Sequence, residues 1–324
     1  MAGVVLLALV QLMAIVTDDG GPPVDRSLAT VPAIVRAGAP DDDRSVDTYR
    51  GYGTWVDVYD FAPSFQNGGT PVLGPDVVDA MVASGVRTVY LQAAQLDERS
   101  PGALVDPAVV GQFLVRAQRA GLKVVGWYLP RFTDLDRDLL HLRAIADFEV
   151  LGHRFDGVAV DIEWTEGVPD HRQRSTALVE LSERLREATD GEPLGAIVLS
   201  PVHIEVVNTR KWPDFPWREL EPLYDVWLPM SYWTERRADS GLRDPRTYVR
   251  ENIERLRVDL DDPEARVHVI GGIGDEIDDR QAARFVEALD AMDAFGGSIY
   301  DWNTLAPERH GVMALGLAEG EREG

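Results

Sequence analysis

The sequence predicts one (β/α)8 barrel, and three observations carry that expectation. Eight β-like runs alternate with helical patterns, and the runs begin about every 35 residues. No shift in composition divides them. The first strand, 54–59, holds Trp, Val and Tyr, and a helical pattern over 75–84 starts on a proline and stops before Gly85. The second strand is 87–92. Helix 106–120 opens on Asp106-Pro107, a cap followed by a first-turn proline. The third strand, 123–129, ends before Pro130, and helix 134–152 opens on an aspartate. The fourth strand, 155–163, leads to helix 169–189 and the fifth, 194–200. Prolines in 211–217 exclude a regular helix there, and that stretch is expected to line the cleft wall. The sixth strand is 225–232, and Asp244-Pro245 opens helix 244–260. The seventh strand is 266–270, helix 278–295 follows, and the eighth strand is 297–302.

An open doubly wound sheet is the rival architecture. No Gly-x-Gly-x-x-Gly follows the first strand, which removes the main support for a nucleotide-binding version. Gly271-Gly272-Ile273-Gly274 comes after the expected seventh strand and lacks a lysine, so it makes a weak phosphate loop.

Around the barrel, 49–317, the ends differ in character. Residues 1–17 form an apolar, signal-like or anchor segment, short for a membrane span and with no Lys or Arg ahead of it. It implies an exported, extracellular or cell-surface protein, with a membrane tether as one option. Residues 18–48, rich in Asp, Pro, Gly and Ala, read as a disordered acidic linker, and 318–324 as an acidic tail. Fifty-five acidic and 32 basic side chains give a net charge of −23. A polyanion such as nucleic acid needs a basic face, so it is excluded as partner. Cysteine is absent, which excludes disulfides, thiolate metal sites and a Cys nucleophile. Only Lys123 and Lys211 are lysines, a bias of a GC-rich genome or a salt-adapted host. The six histidines are scattered, so neither a metal site nor a cofactor is expected. No Gly-x-Ser-x-Gly elbow supports a serine triad.

Catalytic groups of such barrels sit at the C-terminal ends of the strands. That rule selects Asp57, Tyr59 and Asp60 after the first strand, and Tyr90, Gln92 and Gln95 at the second. It selects Trp127 and Tyr128 at the third, and Asp161, Glu163 and Trp164 at the fourth. At the sixth, seventh and eighth it gives Met230, Tyr232 and Trp233, then Asp275 and Glu276, then Asp301 and Trp302. These are carboxylates and aromatics. Sugar rings present apolar C–H faces that suit aromatic platforms, and Trp302 and Trp233 are favoured as cleft residues, with Trp55 and Trp227 assigned to the core.

The fourth strand is the most informative. Strand alternation puts Val158, Val160 and Ile162 on one face and Ala159, Asp161 and Glu163 on the other, toward the barrel interior. Two carboxylates so close cannot both ionise cheaply, so one pKa is expected to rise, as a general acid requires. The competing reading pairs these acids with arginines, for which Arg131 and Arg236 are the nearest candidates.

Asp156-Gly157-Val158-Ala159-Val160-Asp161-Ile162-Glu163 resembles the fourth-strand signature of the chitinase-like family eighteen glycoside hydrolases, Asp-Gly-x-Asp-x-Asp-x-Glu. The resemblance implies Glu163 as general acid, Asp161 as the group orienting a nucleophilic N-acetyl substituent, and Asp156 as a structural aspartate. Ala159 replaces the middle Asp. Met230-Ser231-Tyr232 is similar to the family's Met-x-Tyr, which implies a Tyr232 hydrogen bond to the acetamido group; Trp233 stands where the family has Asp. Trp302 stands where the family has its sugar-stacking floor. More loosely, 126–130 and 227–233 resemble segments of other glycoside-hydrolase-like barrels.

The expected function is therefore a glycosidase of neutral or N-acetylated glycans. Glu163 is the acid/base, with Asp161 and Tyr232 assisting. Asp57, Tyr59, Gln92, Trp127, Tyr128, Met230, Trp233, Asp275, Glu276, Asp301 and Trp302 would contact the carbohydrate. A two-carboxylate version would instead use Asp275 or Glu276 as nucleophile. A catalytically inactive glycan-binding barrel is the alternative. An aldolase-like barrel is the weakest reading, because Lys123 starts its strand at the wrong end.

Overall fold

Eight parallel strands close on themselves, each bonded to the next and the last to the first. The structure, a computed structural model, describes residues 44–100, 102–189 and 191–319. The strands are β1 (Gly51–Val56), β2 (Thr88–Gln92), β3 (Lys123–Tyr128) and β4 (Gly157–Ile162). Then come β5 (Leu194–Leu199), β6 (Val226–Ser231), β7 (His268–Ile273) and β8 (Gly296–Tyr300). The helices that clothe them are α1 (Val77–Ala83), α2 (Pro107–Arg119), α3 (Leu135–Ala146) and α4 (His171–Thr189). A single turn, α5 (Trp217–Leu220), is followed by α6 (Pro245–Leu260), α7 (Asp279–Ala291) and α8 (Pro307–Glu319). This is one (β/α)8 barrel, as expected.

The strands are buried on both faces, which is why they read as continuous apolar runs. Of the two Asp-Pro pairs, Asp244 caps α6 by accepting from the Thr247 amide at 3.1 Å. Asp106 does not cap its helix; its carboxylate takes the Ser64 amide and hydroxyl instead.

Several boundaries differ from those expected. β1 lies earlier than 54–59, because Asp57 ends it by capping a one-turn helix, Val58–Phe61. Gly51 and Gly53 therefore belong to the strand, and a Cβ on Gly53 would fall 2.5 Å from the Tyr90 ring. The helix expected over 134–152 stops at Ala146. A two-residue hairpin, Glu149–Val150 with His153–Arg154, turns through left-handed Leu151 and Gly152. Gly271 and Gly272, expected in a loop, lie inside β7. α8 was not among the expected helices.

Under the barrel, part of the expected linker is packed. Ser45 caps a 3-10 turn, Val46–Tyr49, and Arg44 pairs with Glu192. Tyr49 enters the N-terminal end of the barrel, donating to the Val158 carbonyl at 2.8 Å. Gly157 and Gly195 leave the room: a Cβ on Gly157 would meet the Tyr49 hydroxyl, and one on Gly195 the Tyr49 ring, each at 2.8 Å. Above Tyr49 the interior is filled by Tyr90, Trp55 and His268. Trp55 stacks on Tyr90 at 4.3 Å and donates to Ser298 Oγ at 2.8 Å. His268 spans Ser298 and the Tyr49 carbonyl, and burial lowers its pKa to about 4, so the ring is neutral.

Among the described residues, no helix is long and apolar enough to cross a membrane. The apolar segment 1–17, the linker up to residue 43 and the tail from residue 320 lie outside the described residues.

Candidate active site

A cleft of about 450 Å³ opens at the C-terminal ends of the strands. Its size fits a small ligand. Strand alternation decides what enters it. On β4, Asp161 points inward and Glu163 follows at the rim, whereas Val160 and Ile162 pack outward. Ten of the sequence-selected residues line the cleft: Asp161, Glu163, Trp164, Tyr232, Asp57, Tyr59, Gln92, Gln95, Trp127 and Met230.

Asp161 is buried, and its Oδ1 has no hydrogen-bond partner. Burial, and then the charge of Glu163, push its pKa well above the ordinary value. Glu163 is also raised, first by burial; Lys211 opposes the rise and Glu235 adds to it. Neither carboxylate forms an ion pair with a basic group among the described residues. Arg131 lies over the Trp164 ring at 3.6 Å, and Arg236 is bound to Glu235 and His203. The arginine-paired reading of the two acids therefore does not describe the structure. Tyr232 is held protonated by burial and by Glu163 and Asp161, in that order.

The remaining selected residues lie elsewhere, each for a local reason. Tyr128 alternates outward from Trp127, and its hydroxyl donates to Asp138 at 2.6 Å under α3. Trp233 follows β6 on a 3-10 turn and packs against Phe285. Gly271 and Gly272 are its seat: a Cβ on them would touch the Trp233 ring at 2.8 and 3.0 Å. The glycine pair read as a weak phosphate loop thus serves packing. Asp275 and Glu276 occupy an exposed 3-10 turn outside the cleft lining, so they do not supply its second carboxylate. Asp301 turns back to accept from the Thr304 amide and hydroxyl at 2.9 and 2.8 Å. Trp302 packs on His310 at 4.1 Å. The 211–217 stretch is not cleft wall. Trp212 is buried, donates to Ser175, and lies under Arg174.

The cleft also takes residues that the sequence reading did not select for it. Trp55, buried in the core as expected, also forms the cleft floor, meeting Trp127 at 6.0 Å and Tyr300 at 6.3 Å. It stands two residues before Asp57, so strand parity alone places both inside. Tyr300 lines the wall and donates to Asp57 Oδ2 at 2.8 Å. No metal-ligating group was expected, yet Asp57, Asp60 and Asp301 gather at the mouth with carboxylate oxygens within 4.8 Å of one another. Burial, then Asp57 and Asp301, raise Asp60 to about 7.

Solved structures share this architecture at low sequence identity. The endo-1,4-beta-mannanase from Rhizomucor miehei superposes with a TM-score of 0.63 at 9% identity, over 85% of this chain and 95% of that one. A GH5_18 protein from Streptomyces cattleya, in complex with GlcNAc, gives 0.59 at 16% identity, over 85% and 81%. The spore cortex-lytic enzyme SleL from Bacillus megaterium QM B1551 gives 0.56 at 10%, over 84% and 74%. What this chain shares with them is the closed (β/α)8 barrel. These likenesses span several kinds of enzyme and do not single out family eighteen. No family model matches the sequence, and no curated protein matches it either.

Proposed function

We propose that the protein is a glycoside hydrolase in which Glu163 is the general acid/base, assisted by Asp161 and Tyr232. One observation carries the reading: two neighbouring carboxyls, both with raised pKa and neither ion-paired, line an aromatic-walled cleft. Such a pair holds one proton readily and two negative charges only at high cost. The protonated partner is ready to donate to a leaving-group oxygen. Trp55 and Trp127 offer apolar surface to sugar rings, while Gln92, Asp57 and Tyr232 offer hydrogen-bonding groups. The substrate class is a neutral or N-acetylated glycan, and GlcNAc in the Streptomyces cattleya structure supports starting with N-acetylated sugars.

The test is hydrolysis of chromogenic N-acetylated and non-acetylated glycosides by the wild type and Glu163→Gln. The substitution should cost about 10²–10⁴-fold in kcat and leave the melting temperature unchanged. Equal turnover by both proteins would remove Glu163 from the mechanism. Glycan binding by both, with turnover by neither, would favour the inactive binding barrel.

A further inference from the structure

The loops after β1 and β8 meet beside the cleft through three aspartates. Asp57 caps the turn after β1, Asp60 sits within that turn, and Asp301 follows β8. One carboxylate oxygen from each lies within 4.8 Å of the others. Asp60 and Asp301 are only 7% and 6% exposed.

Their hydrogen bonds leave the group short of partners. Asp57 accepts from the Tyr59 amide and the Tyr300 hydroxyl. Asp301 Oδ1 accepts from Thr304. Asp60 Oδ1 accepts from Asn303 Nδ2 at 3.0 Å, but Asp60 Oδ2 is buried with no partner at all. Among the described residues no lysine or arginine is paired with any of the three. A buried carboxylate oxygen without a donor is costly, and two like-charged neighbours add to the cost. A cation answers both at once.

We propose that Asp57, Asp60 and Asp301 bind a divalent cation, calcium, that ties the first and last loops of the barrel together. The donors are all hard carboxylate oxygens, which suits calcium, magnesium or manganese and not zinc or copper. Magnesium is usually held by one or two carboxylates and keeps several waters in a strict octahedron, whereas calcium accepts several carboxylates in a flexible shell. Three gathered carboxylates therefore suit calcium. Because Asp57 and Tyr300 also line the cleft, the bound ion fixes that wall.

The site is tested without reference to turnover. The full chain is stripped with chelator, then titrated with calcium, magnesium and terbium, following melting temperature, heat and tryptophan-sensitised terbium emission. Calcium at about 100 times Kd should raise Tm by roughly 5–10 °C. Asp60→Asn and Asp301→Asn should each weaken binding at least about tenfold, while Asp275→Asn should not change it. If either site variant fails to fold, the wild-type titration still decides: saturable one-to-one calcium binding that displaces terbium supports the site. No binding of calcium or terbium at about 5 mM overturns it, as does binding that survives unchanged in both asparagine variants. A response to magnesium alone overturns the choice of ion.

Discussion

Asp156 and Asp161 stand toward opposite ends of β4, and solvent reaches 7% of one and 8% of the other. At the closed end of the barrel, Asp156 is fully served. Lys123 Nζ lies at 3.0 Å, the Val124 amide at 2.9 Å and Gln118 Nε2 at 2.8 Å. At the open end Asp161 has an oxygen without a donor and a second carboxyl for a neighbour. Equal burial thus produces opposite chemistry, because the fold supplies partners to one carboxylate and withholds them from the other. The first staples a strand to a helix. The second lines the cleft with one oxygen left unpartnered, and the proposed reaction draws on it.

The sharpest way to break this contrast is to neutralise each in turn. Asp161→Asn should cost about 10²-fold or more in glycoside turnover and leave the melting temperature unchanged or higher, since it removes a buried, unpaired acid. Asp156→Asn should do the reverse. Turnover should stay near wild type, while stability falls by about 1–3 kcal/mol through the lost charged hydrogen bonds. Steady-state rates with thermal melts of both variants check the pair, and an Asp161→Asn enzyme as active as wild type would erase the distinction.

A second measurement sharpens the contrast through pH. The folded state raises the pKa of Asp161 and of Glu163. Above about pH 4, the usual carboxylate range, these groups hold more protons folded than unfolded. The difference ν_U − ν_N is then negative, so their contribution to stability falls as pH rises toward their raised values. Asp161→Asn should flatten that decline in melts taken from pH 4 to 8. An unchanged slope would mean that Asp161 titrates normally. Turnover should fall on the alkaline side as Glu163 loses its proton.

The smallest effects separate inward from outward neighbours. Tyr128→Phe removes the hydroxyl bonded to Asp138 and should cost about 1 kcal/mol of stability with turnover retained. Glu276→Gln, on an exposed turn, should shift stability by less than about 0.5 kcal/mol. Loss of activity in Glu276→Gln would restore the seventh-strand carboxylate to the cleft.

The same contrast explains what was legible in the sequence. The barrel was readable because each β/α unit carries its own local signals, apolar runs and capped helices. Asp161 and Glu163 were readable because a strand reports its two faces by parity. Legibility ended just past the strands, since Asp57, Glu163 and Tyr232 still keep to the cleft one residue beyond them. Trp233 and Trp302 continue the numbering of β6 and β8, but the chain has already turned, so parity no longer applies and both pack away from the cleft. Trp55 is buried in the core, as expected, and its parity with Asp57 also brings it to the cleft floor. The meeting of Asp60 with Asp301 depends on β1 closing against β8. No local signal announces a contact between residues 241 positions apart.

Tyr49 has a consequence for how the molecule is held. Because its ring is seated in the closed end, the chain preceding β1 arrives at that pole. The last helix, α8, starts after β8 at the mouth and runs back along β1 and β8 to the same pole. Both exits share one side, as a stem carries a cup. The cleft opens on the opposite face, away from both ends of the described chain.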